Sequence, residues 1–488
     1  MILEANMQVT RITPVLLVAA TLAPPMSSQS TPTERTAARQ IVQEIGSLQE
    51  RLQVTEVAQE LAGRRDGDRE AIFNRIEQLW NSELQDLSDY IGRNPEVGFQ
   101  EFKTVDTLSA ALESYGFSVE TGQAGLATAF VGTWESPAGS DGLTLGVIVE
   151  YDALRSTHEP FHGCQHNAQS PVGFAAAIAL AEYMEQHNLA GRIKVYGTPA
   201  EEMGPPAKEI MWRAGVFEGA DILVRSHGSS ETARGSAGFG ICCLNINMVK
   251  YTFTGRASHQ RASWLGRNAL TAAVRFYTAV DGLRPTFRPE ASIQGVIPEA
   301  GIAPNVVPDR TVVDYYIRYP DEVYLEHITQ MMADAARGAA LATGTQVEIE
   351  TYGRLRDGIT TGTLEELTYA YAVALDAPEL NPEPQRPAGF EETGFVSRDV
   401  PGVGVSVYSS PAAGHSYARF EDSLKPVGHT GFLVDAKIMA AVLYHFLVDG
   451  DFRAKVVEEH ETLSNLFDGY LQNLREAYAE EVGAGSGS

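Results

Sequence analysis

The chain has 488 residues, with 37 Lys or Arg against 63 Asp or Glu, a formal net charge of −26. That acidity argues against nucleic acid or an anionic membrane surface as the main partner. Hydrophobic and charged contents of 44% and 20% exclude a disordered chain, and three cysteines exclude a disulfide scaffold.

Residues 1–36 read as a leader and linker. Arg11 precedes an apolar stretch at 12–23, and a Pro/Ser/Thr-rich run follows. The stretch is short for a bilayer span but suits a cleaved export signal. Glu4 spoils the basic start, so initiation at Met7 gives a cleaner signal. The expectation is a periplasmic or extracellular protein, tethered to the membrane if the leader stays. Beyond it, no segment reads as a membrane span.

Residues 37–70 read as a helical extension. Ile41, Ile45, Leu48, Leu52 and Leu61 recur at helical spacing, and the run RRDGDR at 64–69 marks a break. A second helix is expected at about 70–91. From 143 the pattern alternates. Short apolar runs at 143–150, 193–197, 221–225 and 402–408 read as buried strands. A small-residue helix is expected at 171–185 and a final apolar helix at 429–447. Alternating strands and helices predict an α/β domain with a mostly parallel sheet covered on both faces.

Between these lies a different block. Strands are expected at 245–254, 292–297, 311–318 and 346–351, with helices at 268–283 and 322–341. The order βαββαβ is that of a ferredoxin-like unit. The expected organisation is a catalytic domain at 71–240 and 356–480, split by an inserted domain at 241–355, with a flexible tail at 481–488.

Four strand ends carry chemistry: Phe161-His162-Gly163-Cys164-Gln165-His166-Asn167, Thr198-Pro199-Ala200-Glu201-Glu202, Ser226-His227-Gly228 and Gly414-His415-Ser416. In open α/β sheets, sites lie beyond the carboxyl ends of strands. A lone cysteine is ordinarily a small hydrophobe. Histidines two residues away on either side change that reading for Cys164, whereas the adjacent Cys242 and Cys243 are expected to be packing. Cys164 and His166, two apart, would point the same way in an extended segment. Glu201 and Glu202, adjacent, would point apart, one toward a metal and one toward the reacting water. A thiolate, imidazoles and a carboxylate suit zinc or a similar ion.

These motifs occur in order with Asn94-Pro95-Glu96-Val97-Gly98-Phe99, Glu101, Glu150-Tyr151-Asp152-Ala153-Leu154, GRASH ending at His259, and APNVVPD containing Asn305. Over about 75–480 the sequence resembles the aminoacylase and carboxypeptidase G family of dinuclear metallopeptidases. It is most similar to the amidohydrolase branch of aminobenzoyl-glutamate hydrolase and the auxin-conjugate hydrolases. The resemblance implies two divalent ions, zinc or manganese. Cys164 would bridge them, with Glu202 and His415 on one and His166 and His227 on the other. It implies Glu201 as general acid/base. It makes the inserted domain a dimerisation domain whose His259 reaches a neighbouring subunit's site, with Asn305 near the substrate carboxylate. The family usually has Gly where this chain has Gln165, so Gln165 is expected to narrow the site or donate to substrate. His429, at the start of the last helix, is expected to serve packing or capping.

The implied function is hydrolysis of an amide bond in an N-acyl amino acid or related conjugate by a homodimer or higher homo-oligomer. A dipeptidase or metallocarboxypeptidase would use the same motifs. A non-catalytic exported binding protein would show a missing ligand or a lost Glu201, and all are present.

Overall fold

The computed structural model describes residues 32–240, 245–385 and 393–479. The leader at 12–23, Cys242 and Cys243, and the tail from 481 lie outside the described residues.

A six-stranded sheet forms the centre of the catalytic domain. Its order is Ser118–Thr121, Phe130–Glu135, Gly191–Gly197, Leu143–Val149, Ile222–Ser229, Gly402–Tyr408. The last four strands are parallel, and the first two join antiparallel at one edge. The parallel strands are those expected from their apolar runs, because burial on both faces removes alternation. The two antiparallel strands and the helix Phe102–Ser114 had no counterpart in the sequence reading.

Helix His166–Gln186 crosses the sheet and is buried along nearly its whole length. Its small residues let it approach closely: a Cβ on Gly173 would lie 2.6 Å from Val149. It packs against Pro426–Val448. That second helix corrects one expectation, because its length and composition would suffice to cross a membrane. Here its apolar faces are covered by protein, with Phe432, Met439, Leu443 and Phe446 in the core.

The inserted domain is an antiparallel sheet in the order Gln346–Leu355, Asn245–Thr254, Arg310–Tyr319, Ser292–Glu299. Helices Ala269–Leu283 and Glu322–Thr343 complete the βαββαβ order. They bury Phe276, Val280, Leu325, Ile328 and Met332 against one sheet face.

The N-terminal extension is two helices, Pro32–Leu52 and Val54–Gly63, broken at Gln53, whose φ is 54°. Asp66 caps the next helix, Gly67–Leu79, accepting from the Asp68 and Arg69 N–H groups. A π-turn, Trp80–Leu84, separates it from Gln85–Arg93. The chain does not finish with the apolar helix. A 28-residue helix, Gly450–Ala477, follows. Its Phe452 and Val456 join the catalytic core, while Leu463, Phe467, Leu471 and Leu474 join the core of the inserted domain.

Candidate metal centre

Four chain segments at the carboxyl ends of the parallel strands bring their side chains to one place. The loop after Leu143–Val149 delivers Cys164 and His166. The loop after Gly191–Gly197 delivers Glu201 and Glu202. His227 lies on Ile222–Ser229, and His415 follows Gly402–Tyr408. Ligand atoms of Cys164, His166 and His227 lie within 4.8 Å of one another, as do those of Cys164, Glu202 and His415, and those of His166, Glu201 and Glu202. His415 Nε2 is 3.6 Å from Glu202 Oε2, and His166 Nε2 is 3.7 Å from Glu201 Oε2.

The local conformation differs from the extended pair expected at Cys164 and His166. Gln165 between them is left-handed, φ 64°, and His166 opens a helix. A left-handed turn is where glycine has no steric cost and another residue loses about 1 kcal/mol or more. Gln165 is held there by its own amide. Its Nε2 donates to the Arg419 carbonyl at 3.1 Å, and its Oε1 accepts from Ser409 Oγ at 2.6 Å. The side chain is fully buried and does not line the cavity. The substrate contact expected of Gln165 is therefore replaced by a structural one, behind the ligands.

Two buried carboxylates orient the ligands. Asp152 Oδ1 is 3.0 Å from His166 Nδ1, which leaves Nε2 for the centre. Asp152 Oδ2 accepts the Glu202 backbone N–H at 2.9 Å. Glu150 is fully buried. Burial alone raises its pKa, but Arg225, Lys208 and His166 together hold it well below the usual carboxylate range. Arg225 Nη1 donates to its Oε1 at 2.7 Å, and Lys208 Nζ pairs with the same oxygen. For His227, Nδ1 meets the Gly228 carbonyl at 2.8 Å, so Nε2 is again the inward nitrogen.

The donor set fits a divalent cation pair. His166 Nε2 is buried without a hydrogen-bond partner. Burial opposes charge on His166, yet Asp152, Cys164 and Glu150 raise its pKa well above normal. Burial pushes the Cys164 thiol up to about 12; His166 pulls it down, while Glu202 and Glu201 push it further up. Carboxylates and a thiol crowded this way need compensating positive charge to be anionic together. His162 is outside these ligand groups, and burial pushes it down to about 3, a neutral imidazole.

A cavity of about 340 Å³ adjoins the cluster. Cys164, Glu201, Glu202, His227 and His415 line it from the catalytic domain, and Ile246, Met248, Tyr316, Arg318 and Leu355 from the inserted sheet. His259 and Asn305 are exposed elsewhere on the inserted domain and do not line this cavity. They lie side by side: His259 pairs with Val306, and Gln260 N–H donates to the Asn305 carbonyl at 3.0 Å. His259 Nδ1 accepts from Arg261 N–H at 3.1 Å, which places the ring proton on Nε2. His429 Nε2 meets Asp89 Oδ1 at 2.9 Å and its ring edges onto Trp80.

Residues 240–343 match the peptidase dimerisation domain of the M20 family. The Xaa-Arg dipeptidase of Mus musculus is 32% identical over 76% of this chain and 89% of its own length. The chain belongs to the M20 family. A p-aminobenzoyl-glutamate hydrolase of Escherichia coli is 33% identical, over 61% of this chain and 63% of its own. Among solved structures, the aminobenzoyl-glutamate utilization protein from Klebsiella pneumoniae aligns with TM-score 0.56 at 17% identity, over 77% of this chain and 98% of that one. A dinuclear metal binding peptidase of the M20 family from Bacillus subtilis aligns with TM-score 0.51 at 18% identity, over 76% and 99%. M20 membership makes this chain an amidohydrolase or peptidase.

Asp152, Glu150, Lys208, Arg225 and Arg419 had no role assigned from the sequence. A signal exists for Arg225 and Glu150, charged residues closing the apolar runs DILVR and LTLGVIVE. Buried charges are rare unless paired.

Proposed function

We propose that this chain hydrolyses the amide bond of an N-acyl amino acid or related conjugate. The observation that carries the reading is the convergence of Cys164, His166, Glu202, His227 and His415 around Glu201, beside a cavity lined from both domains. Relatives named p-aminobenzoyl-glutamate hydrolase and indole-3-acetyl-aspartic acid hydrolase support this class. Those named Xaa-Arg dipeptidase favour a dipeptide as a second reading of the same site.

Cys164 would be shared between two ions, zinc or manganese, with Glu202 and His415 completing one site and His166 and His227 the other. Bound there, such ions supply Lewis acidity and lower the pKa of water. Glu201 accepts the proton of the attacking water and delivers it to the leaving amine nitrogen. Asp152 and Glu150 keep His166 oriented while this happens. Arg318 suits the substrate's carboxylate, and Met203, Ile246, Met248 and Leu355 suit an apolar acyl or side-chain group. In a homo-oligomer formed through the dimerisation domain, His259 of a second copy would donate Nε2–H to the developing oxyanion. Export through the leader at 12–23 completes the proposal.

The test is a panel of N-acyl amino acids and dipeptides assayed with added zinc or manganese, alongside metal analysis. Glu201→Gln should retain two ions per chain and lose roughly 10²–10⁴-fold in turnover. Turnover retained in that variant would remove Glu201 from its role.

A further inference from the structure

The loop that carries Glu201 and Glu202 starts with an unfavourable turn. Ala200 is left-handed, φ 54°, and completely buried. A non-glycine residue there costs on the order of 1 kcal/mol or more, so the turn persists only if something over-determines it. The chain supplies two fixtures. The Ala200 N–H donates to Glu101 Oε1 at 2.9 Å, and the Glu202 N–H donates to Asp152 Oδ2 at 2.9 Å. The two buried carboxylates thus bracket Glu201 along the backbone, one on each side.

Glu101 is 0% exposed, and it stands immediately before the helix Phe102–Ser114. Its segment is itself anchored. Glu96 caps that helix, accepting from the Thr104 N–H at 2.8 Å, and the Glu96 carbonyl accepts from Ala153 N–H at 2.8 Å. Phe99 is also left-handed, φ 63°, which turns the segment toward the loop. Gly98 faces Ala200 so closely that a Cβ on it would lie 2.7 Å from the Ala200 Cβ. A buried carboxylate spent on a single backbone N–H, against a left-handed alanine one residue before the acid/base, is an arrangement that serves geometry.

We propose that Glu101 is a positioning residue for the reaction: it holds the left-handed turn at Ala200 and so fixes where Glu201 points. It touches neither substrate nor ligand atoms. The inference rests on the reading of Glu201 as acid/base, and it adds a residue from the N-terminal part of the catalytic domain to the site.

The experiment uses the full chain loaded with zinc. Glu101→Ala should lower kcat by roughly 10–100-fold, the range for outer support residues, with KM within about twofold and two ions retained. Hydrogen exchange measured on a peptide spanning 198–203 should accelerate. Ala200→Gly added to Glu101→Ala should recover most of the lost kcat, because glycine takes the left-handed turn at no steric cost. Glu101→Gln should stay within about threefold of wild type, since its amide oxygen still accepts from Ala200. Unchanged kcat and exchange in Glu101→Ala, or no recovery on adding Ala200→Gly, overturns the proposal. If Glu101→Ala does not fold, Glu101→Gln decides: a loss beyond tenfold overturns it and near-wild-type kcat supports it. If the wild-type protein hydrolyses no amide, the functional reading fails by itself. Exchange at 198–203 in Glu101→Ala against the double variant then still tests the turn.

Discussion

Asp152→Asn is a change of one atom with a calculable consequence. Asp152 accepts twice, from His166 at 3.0 Å and from the Glu202 N–H at 2.9 Å. Asparagine has one accepting oxygen and one donating NH₂. With its oxygen toward Glu202, its NH₂ faces His166 Nδ1, which must then accept. The ring proton moves to Nε2, the nitrogen that faces the cluster. With the amide flipped, two N–H groups oppose each other at Glu202. Neither arrangement keeps both ligands ready. Loss of one such support costs about 10–100-fold in metal affinity, or roughly 1.4–2.7 kcal/mol. Both ligands are disturbed here, so the upper end is expected: about 100-fold weaker binding of at least one ion. Competition titration with a chromophoric chelator, for zinc and manganese at fixed pH, measures this directly. Affinities within about threefold of wild type for both ions would refute the assignment of Asp152 as the group that sets the His166 tautomer.

Three further outcomes are expected. Burial pushes His445 down to about 4, and it is hydrogen-bonded to Tyr371, which also accepts from Arg69 Nη1 at 2.9 Å. A histidine kept neutral contributes stability above its unfolded pKa of about 6.5 and loses it as pH falls toward the folded value. Between pH 7 and 5 this amounts to about 2 kcal/mol, and His445→Gln should flatten that part of the stability profile. Denaturant midpoints across this range check it, and parallel profiles for the two proteins would count against it. Phe467, 2% exposed with its ring 4.9 Å from Phe239, should cost about 3–5 kcal/mol on substitution by alanine. An unchanged midpoint would show that the C-terminal helix is not integral to the inserted domain's core. Val296 is 63% exposed on the sheet-edge strand Ser292–Glu299. Such an edge is a template for pairing with a second chain, so Val296→Lys should weaken self-association at least about tenfold by sedimentation, and identical behaviour would place the interface elsewhere.

The parallel strands and the ligand set were legible because both are local. Apolar β-branched runs announce buried strands, and cysteine, histidine and glutamate just beyond them stand out. What supports those ligands was not legible. Asp152, Glu101 and Lys208 are single charged residues in loops or at a helix start, which read as surface until folding encloses them. The turn at Gln165 was misread because a non-glycine left-handed residue has no sequence signal; the family's usual glycine was the clue, and its reason is the φ of 64°. The final helix differs in kind. Phe452, Val456, Leu463, Phe467, Leu471 and Leu474 recur at helical spacing, but between so many charges that the apolar helix before it looked like the end.

That final helix bears on catalysis although no site residue lies on it. The cavity is shared between two domains, with Glu201 on one and Arg318 on the other. Their separation is fixed partly by the chain crossings near 240 and 356. It is fixed also by Gly450–Ala477, which is rooted in one core and runs into the other. Leu48 and Leu52 of the first helix join the same seam, and the Tyr478 hydroxyl donates to Asp321 at 2.9 Å. Loosening this seam should let the inserted sheet drift without disturbing the metal ligands, all of which sit on the catalytic domain. Phe467→Ala, assayed well below its unfolding temperature, should therefore raise KM several-fold while leaving kcat within about twofold, the pattern of lost uniform binding. A fall in kcat at unchanged KM would mean that the seam acts on the acid/base instead, and the division of labour between the two domains would be wrong.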